Sequence, residues 1–293
     1  MKNNKYEIDM CNGTLMDKLI SFSLPLMLSG ILQLLFNAVD IIVVGRFTGS
    51  QALAAVGSTT ALINIFTNLF IGISLGANVL AARFYASGKE KEMSETVHTS
   101  ITLALISGLV MALAGVLLAR FALNLMGTPN DVIDQSVLYM RIYFLGMPFF
   151  MLYNYGAAIL RAVGDTKRPL FFLVISGMTN AVLNLVLVIV FHMGVAGVAI
   201  GTIVSQLISS ILVLRCLYTS NTSYRLYFSK LGIKTQYLKQ IFQVGIPAGI
   251  QSTVINLSNA LLQSSVNSFG SVAMAGYTAA NNIFGFLYMS VNA

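Results

Sequence analysis

Residues 20–45 read ISFSLPLMLSGILQLLFNAVDIIVVG. An apolar run longer than the roughly 20 residues a helix needs to cross about 30 Å of hydrocarbon is a membrane span before it is anything else. It also far exceeds the apolar core of a signal peptide, and no small-residue cleavage site follows it. Its polar residues are not scattered: Ser29, Gln33, Asn37 and Asp40 recur at spacings of four, four and three, on one face of a helix. A polar stripe inside lipid needs a wet or protein-lined surface to face. A carboxylate there is costly, so the default reading of Asp40 is a proton or cation site. The alternative, that Asp40 caps the helix at the outer interface just before Gly45, stays open.

The whole chain repeats this character. Of 293 residues 56% are hydrophobic and 9% charged, with a mean hydropathy of +0.79, against about 25% charged in soluble domains. That excludes an ordinary soluble enzyme and a disordered chain. Apolar runs predict eight spans, at 20–45, 54–82, 97–120, 136–160, 169–191, 195–218, 240–267 and 272–293. They are apolar on nearly all sides, so strands of a membrane barrel, which alternate with period two, are disfavoured. With the N-terminus placed in the cytoplasm, all but Arg46, Arg120 and Arg141 of the 17 basic residues fall inside. That positive-inside bias accounts for the net charge of +7 without a nucleic-acid partner. Cys11 and Cys216 then lie on the reducing side. With His98 and His192 they show no zinc-ligand spacing.

An internal repeat organises the spans. Shifting the chain by 222 residues pairs Pro25 with Pro247, Asn37 with Asn259, Ala38 with Ala260 and Phe47 with Phe269. After a one-residue gap Gly49 meets Gly270, Ser50 meets Ser271, Ala52 meets Ala273 and Ala54 meets Ala275. An even number of spans between the copies gives them the same orientation, as in parallel-repeat transporters. The expected organisation is therefore a six-helix lobe over 1–218, a cytoplasmic linker over 219–239, and the first two helices of a second bundle over 240–293. A complete second copy implies about 444 residues and twelve helices, so the chain reads as the first two-thirds of a longer protein.

Other polar residues lie within spans. Span five carries Ser176, Asn180 and Asn184; span six carries Thr202, Ser205, Gln206 and Ser209. Their oxygens suit a proton relay or a hard cation such as Na⁺, but such residues equally serve as interhelical hydrogen bonds. Span seven repeats the theme with Ser252, Asn256, Asn259, Gln263 and Asn267, yet Leu262 stands at the counterpart of Asp40. The two lobes are therefore not chemically equivalent. Fourteen methionines, with Phe149, Phe150, Tyr153 and Tyr155 in span four, can line a pliable pocket for flat organic cations or simply pack in the core. Gly72, Ser74 and Gly76 spell the G-x-S-x-G of a nucleophile elbow, which needs a strand-to-helix turn that span two does not offer. Small residues four apart, as in Gly72/Gly76 and Gly197/Gly201, read instead as close helix packing.

Several of these stretches coincide with one family. Pro25, Val39-Asp40 and Val44-Gly45 in span one, Gly76-Ala77-Asn78 with Tyr85-Ala86-Ser87-Gly88-Lys89, the loop Leu160-Arg161-Ala162-Val163-Gly164-Asp165-Thr166-Lys167-Arg168-Pro169, and Val244-Gly245-Ile246-Pro247 resemble multidrug and toxic compound extrusion (MATE) transporters. The resemblance implies an all-α integral membrane protein that is not an enzyme. It would be an antiporter exporting cationic amphiphilic compounds in exchange for H⁺ or Na⁺, without another cofactor. The family's coupling acid corresponds to Asp40, with Asn37, Asn180, Asn184 and Thr202 as its partners and Na⁺ as a possible occupant. Gln33, Met147, Tyr153, Asn256, Asn259 and Gln263 are assigned to the substrate cavity. The expected partners are membrane lipids and small organic cations, the expected state a monomer, and the expected place the plasma membrane, with the N-terminus cytoplasmic. Two rivals remain: a flippase of lipid-linked saccharides from the same broad superfamily, and, remotely, an intramembrane serine protease using Ser74 and His192.

Overall fold

The computed structural model describes Ile8, residues 14–128, 130, 132–267 and 284. Among these residues there is no strand. The helices are α1 (Leu15–Phe47), α2 (Ser50–Ala86), α3 (Glu90–Leu125), α4 (Ile133–Leu145), α5 (Met147–Ala162), α6 (Lys167–Leu185), α7 (Gly194–Thr219) and α8 (Thr235–Asn267). Five of them, α1, α2, α3, α6 with its extension to Val190, and α7, are long and apolar enough to cross a membrane, and the bent pair α4–α5 makes a sixth. The protein is an all-α, multi-pass membrane protein. The large apolar side chains of α3 that face outward, such as Leu117 at 74% and Leu125 at 80% exposure, meet lipid, as the all-round apolarity of the spans requires.

Span four is not the continuous helix expected over 136–160. It breaks at Gly146 and bends by 47°, because Pro148 in the first turn of α5 has no N–H to give to the preceding turn. Span five ends in a π-helical turn over Val186–Val190. Span seven begins at Thr235 rather than 240, and α8, with Ser252, Thr253, Asn256 and Ser258 in its length, is not among the helices apolar enough to cross alone. The expected eighth span, Cys11, and the side chains of Asn259 and Gln263 lie outside the described residues. Pro25 and Pro247, paired by the repeat, both sit inside helices, in α1 and α8.

In lipid the hydrophobic effect does not drive helices together, so close packing and polar ties must. Gly72 and Gly76 of α2 lie directly against Gly249 and Gly245 of α8. A Cβ added to Gly72 would stand 2.2 Å from the Gly249 Cα, and one on Gly76 would stand 2.2 Å from the Ile241 carbonyl oxygen. The small residues of the accidental G-x-S-x-G are thus the contact surface of a helix pair.

The linker is a packed element. Tyr224 and Leu226 are fully buried, and the Leu226 N–H donates to the Leu217 carbonyl at 3.0 Å. Beside it, the loop from Arg161 to Pro169 turns at Gly164 (φ +84), where a Cβ would meet the Ile8 carbonyl oxygen at 2.5 Å. Asp165, fully buried, accepts hydrogen bonds from the Arg168 backbone N–H at 3.1 Å and from its guanidinium, whose other arm reaches the Cys216 sulfur at 3.0 Å. The most specific motif of the sequence is therefore a tie between α6 and α7.

Gly76→Val puts side-chain atoms where the α8 backbone now runs, and overpacking of this kind costs about 1–3 kcal/mol. Thermal unfolding in detergent should show a clear drop in midpoint. Gly57→Ala, into open space on the same helix, should leave it unchanged or raise it. Equal effects of the two substitutions would contradict the packing described.

Candidate functional site

Asp40 lies in the last third of α1, half-buried against α6. Asn184, one residue before the end of α6, donates from Nδ2 to Asp40 Oδ1 and also to Asn180 Oδ1 at 3.3 Å. Asn180 donates in turn to the Thr202 hydroxyl of α7 at 3.4 Å, and Thr202 returns its proton to the Val198 carbonyl at 3.0 Å. Spacings of four along α6 align the two amides, and the chain Asp40–Asn184–Asn180–Thr202 joins three helices.

Two local features hold it. The π turn starts just after Asn184, and such turns widen the helix and recur at functional sites. Gly201 lets α7 come so close that a Cβ there would stand 2.2 Å from Asn184 Oδ1. That oxygen is buried and accepts no hydrogen bond.

The electrostatics are unusual for a span. The ion pairs among the described residues are Arg120–Asp134 at 3.4 Å and Arg168–Asp165, so no cationic side chain balances Asp40. A carboxylate oxygen, amide oxygens and a hydroxyl converge instead, a set that suits a proton or a hard cation. Among the described residues no three His, Cys, Asp or Glu side chains gather.

Two residues here were not picked out by sequence reasoning. Tyr139 and Tyr143 of α4 stack with ring centroids 6.0 Å apart, within electrostatic reach of Asp40, and Gln206 of α7 hydrogen-bonds the Tyr143 phenol. Their spacing of four on one face of α4 was the available signal. The remaining candidates are more dispersed. Gln33 and Asn37 are exposed on α1, outside the hydrogen-bonded chain. Met147, at 1% exposure, is packed in the core. Tyr153 donates its phenol proton to the Pro169 carbonyl at 3.2 Å, and Asn256 bonds the Ser252 carbonyl of its own helix at 2.9 Å. Ser74 is buried with its hydroxyl on the Ile71 carbonyl, whereas His192 is exposed between the π turn and α7. No hydrogen bond joins them, so the geometry of a serine protease is not assembled.

The chain is similar to known transporters along almost all of its length. The MatE family model matches residues 25–186. "Probable multidrug resistance protein YoeA" of Bacillus subtilis is 34% identical over 277 residues, covering 92% of this chain and 59% of its own. "Multidrug export protein MepA" of Staphylococcus aureus (strain NCTC 8325 / PS 47) is 22% identical, covering 88% of this chain and 57% of its own. The chain thus spans about three-fifths of the length of these relatives. Among solved structures, a multidrug resistance MATE transporter in its outward-facing conformation superposes with a TM-score of 0.91 at 23% identity, over 99% of this chain and 64% of that one. An inward-facing form gives 0.76 over 88% and 60%.

Asn184→Leu should leave Asp40 without its donor and destabilise the fold by about 1–3 kcal/mol. Asp40→Asn combined with Asn184→Leu should recover part of that loss. A double-mutant cycle by denaturation in detergent measures the coupling, and strict additivity would mean that the bond contributes nothing.

Proposed function

We propose, from the premise that the chain belongs to the MatE family of multidrug-resistance transporters, that it carries the coupling lobe of a secondary antiporter which takes up H⁺ or Na⁺ and expels cationic amphiphilic compounds. One observation carries this reading: Asp40, a carboxylate within a span, is bonded to the Asn184 amide at the head of a chain of amide and hydroxyl groups and, among the described residues, pairs with no cationic side chain. A span cannot keep such a charge without compensation at low cost, so the site favours an occupant that brings positive charge. A proton neutralises it; Na⁺ would be met by Asp40, the free Asn184 Oδ1, Asn180 and Thr202. Exchange follows if ion and organic cation bind the lobe at each other's expense, each biasing a different arrangement of the helices.

In this reading Gln33 and Asn37, exposed on the same helix as Asp40, and Asn256 of α8 contribute to the substrate cavity with Tyr153, while Met147 supports its wall; Asn259 and Gln263 keep the same assignment from the family resemblance. No cofactor beyond the coupling ion is needed. The protein acts as a monomer among lipids, and nucleic acid has no place in it. The sparse basic charge within the spans supports an organic cation over the phosphate-bearing lipid-linked sugar of the flippase reading.

The test is ion-dependent stability of the purified chain. At about pH 8, Na⁺ but not K⁺ should raise the unfolding midpoint, or else acidification should do so; either effect should vanish in Asp40→Asn, which keeps size but loses the charge. In cells expressing the intact two-lobed transporter, Asp40→Asn should reduce efflux of a fluorescent organic cation to background, and Asn180→Ala should weaken it less. Unchanged responses to both ions in Asp40→Asn would make Asp40 an interfacial cap and end the proposal.

The orientation is tested separately. Single cysteines at Gly88 and Ser229 should react only with a reagent reaching the cytoplasmic face, and those at Gly127 and His192 only from outside. Any other grouping overturns the assigned topology.

A further inference from the structure

His98 plays no part in the site at Asp40, yet it is one of the most committed side chains in the protein. It lies on α3, only 4% exposed, with Nδ1 2.6 Å from the Ser94 carbonyl oxygen and Nε2 3.0 Å from the Tyr227 backbone nitrogen. A backbone N–H can only donate, so Nε2 must accept; Nδ1 then carries the proton and donates to Ser94. Both bonds together require the neutral ring. The Tyr227 ring lies parallel to the imidazole, tilted by 9° with centroids 6.2 Å apart. Four residues past the 3₁₀ turn Phe228–Lys230, the Lys234 N–H reaches the Thr99 hydroxyl at 3.3 Å.

Positive charge gathers around the stacked pair. The Tyr227 ring already has the Lys230 ammonium at 4.9 Å and the Arg225 guanidinium at 5.1 Å from its centroid, and Arg225 also lies over Tyr218 of α7. Lys91 and Glu95 of α3, with Lys230 and Lys234 of the linker, line a cleft of about 730 Å³ alongside His98. Glu95 is the one acid there, and it faces the Tyr237 phenol of α8. An imidazolium would set Nε2–H against the Tyr227 N–H, donor against donor, and add a third cation around one ring.

We propose that His98 is a proton-operated latch: neutral, it holds the linker stretch 227–234 against α3, and protonated, it lets that stretch lift away. The linker runs directly into α8, so the latch adds to the hold that the α2 groove already has on α8. A transporter that exchanges ions across the membrane would thereby read the pH of the compartment its linker faces. The latch does not depend on which ion Asp40 takes, and it is read on a different segment, so either proposal can fail alone.

The chain has two histidines, so histidine-selective ¹⁵N NMR gives two resolvable rings, with exposed His192 as the internal control. Hydrogen exchange of peptides covering 222–234, corrected for intrinsic rates, is followed on the same full chain from about pH 8 to about pH 5.5. As His98 gains its proton, protection at Tyr227 and its neighbours should fall about tenfold, the value of one lost hydrogen bond, while α3 and α5 stay protected. His98→Gln keeps an acceptor that cannot titrate and should stay protected throughout; His98→Arg should be unprotected at every pH. The proposal is overturned if His98 stays neutral over the range, if it titrates with the linker still protected, or if His98→Gln loses protection as the parent does. The parent alone decides the matter should either variant fail to fold.

Discussion

Hydrocarbon gives no hydrogen bonds, and the rest of this structure follows from that. Most polar side chains in the spans meet the constraint at home: Thr59 bonds the Val56 carbonyl, Thr67 that of Ile63, Ser74 that of Ile71 and Ser209 that of Gln206, each within its own helix. Such residues tell little about function, because their groups would be satisfied in an isolated helix. The chain from Asp40 through Asn184 and Asn180 to Thr202 is different in kind. Two of its three bonds run between helices, it contains the acid, and it leaves one amide oxygen unmatched. Other bonds also cross between helices, such as Ser58 to Ser136 and Asn78 to the Ala158 carbonyl; what sets this site apart is a chain of them that ends on an acid.

The same distinction decides how much of the molecule was legible in the sequence. The first six spans were read with ends shifted by a few residues, because twenty apolar residues have one destination; the seventh is a helix of lower apolarity, and the eighth lies outside the described residues. Asp40, Asn180, Asn184 and Thr202 were legible as polar interruptions, and the family resemblance linked them. The break at Gly146–Met147 was missed although Pro148 stood in plain view, since hydropathy does not register a missing N–H. Tyr139 and Tyr143 were missed because tyrosine in a span reads as an interfacial residue, and only the bend of α4 against α5 brings them in towards Asp40. The linker was read as a plain connection; a polar stretch becomes a packed element when side chains such as Tyr224, Leu226 and His98 find surfaces that are far away in sequence.

Glycines show how one pattern can serve two readings. Four-residue spacing at Gly72/Gly76 predicted a close contact but could not name its partner. The structure supplies it in Gly245/Gly249 of α8, where the helix is also interrupted by Pro247. Gly201 uses the same absence of a side chain for another end, bringing α7 within touching distance of the Asn184 amide. In both places the missing methyl group does the positioning that a side chain would do in a soluble core.

The α2–α8 contact bears on how the chain is made. α8 carries too many hydroxyls and amides to partition into lipid on its own, yet its first half lies backbone to backbone against a helix synthesised some 170 residues earlier. A nascent segment of that composition would hesitate at the translocation channel until a surface inside the bilayer received it. α2, already inserted, presents such a surface in its small-residue groove. The early helix thus offers the late one a docking groove made before it emerges.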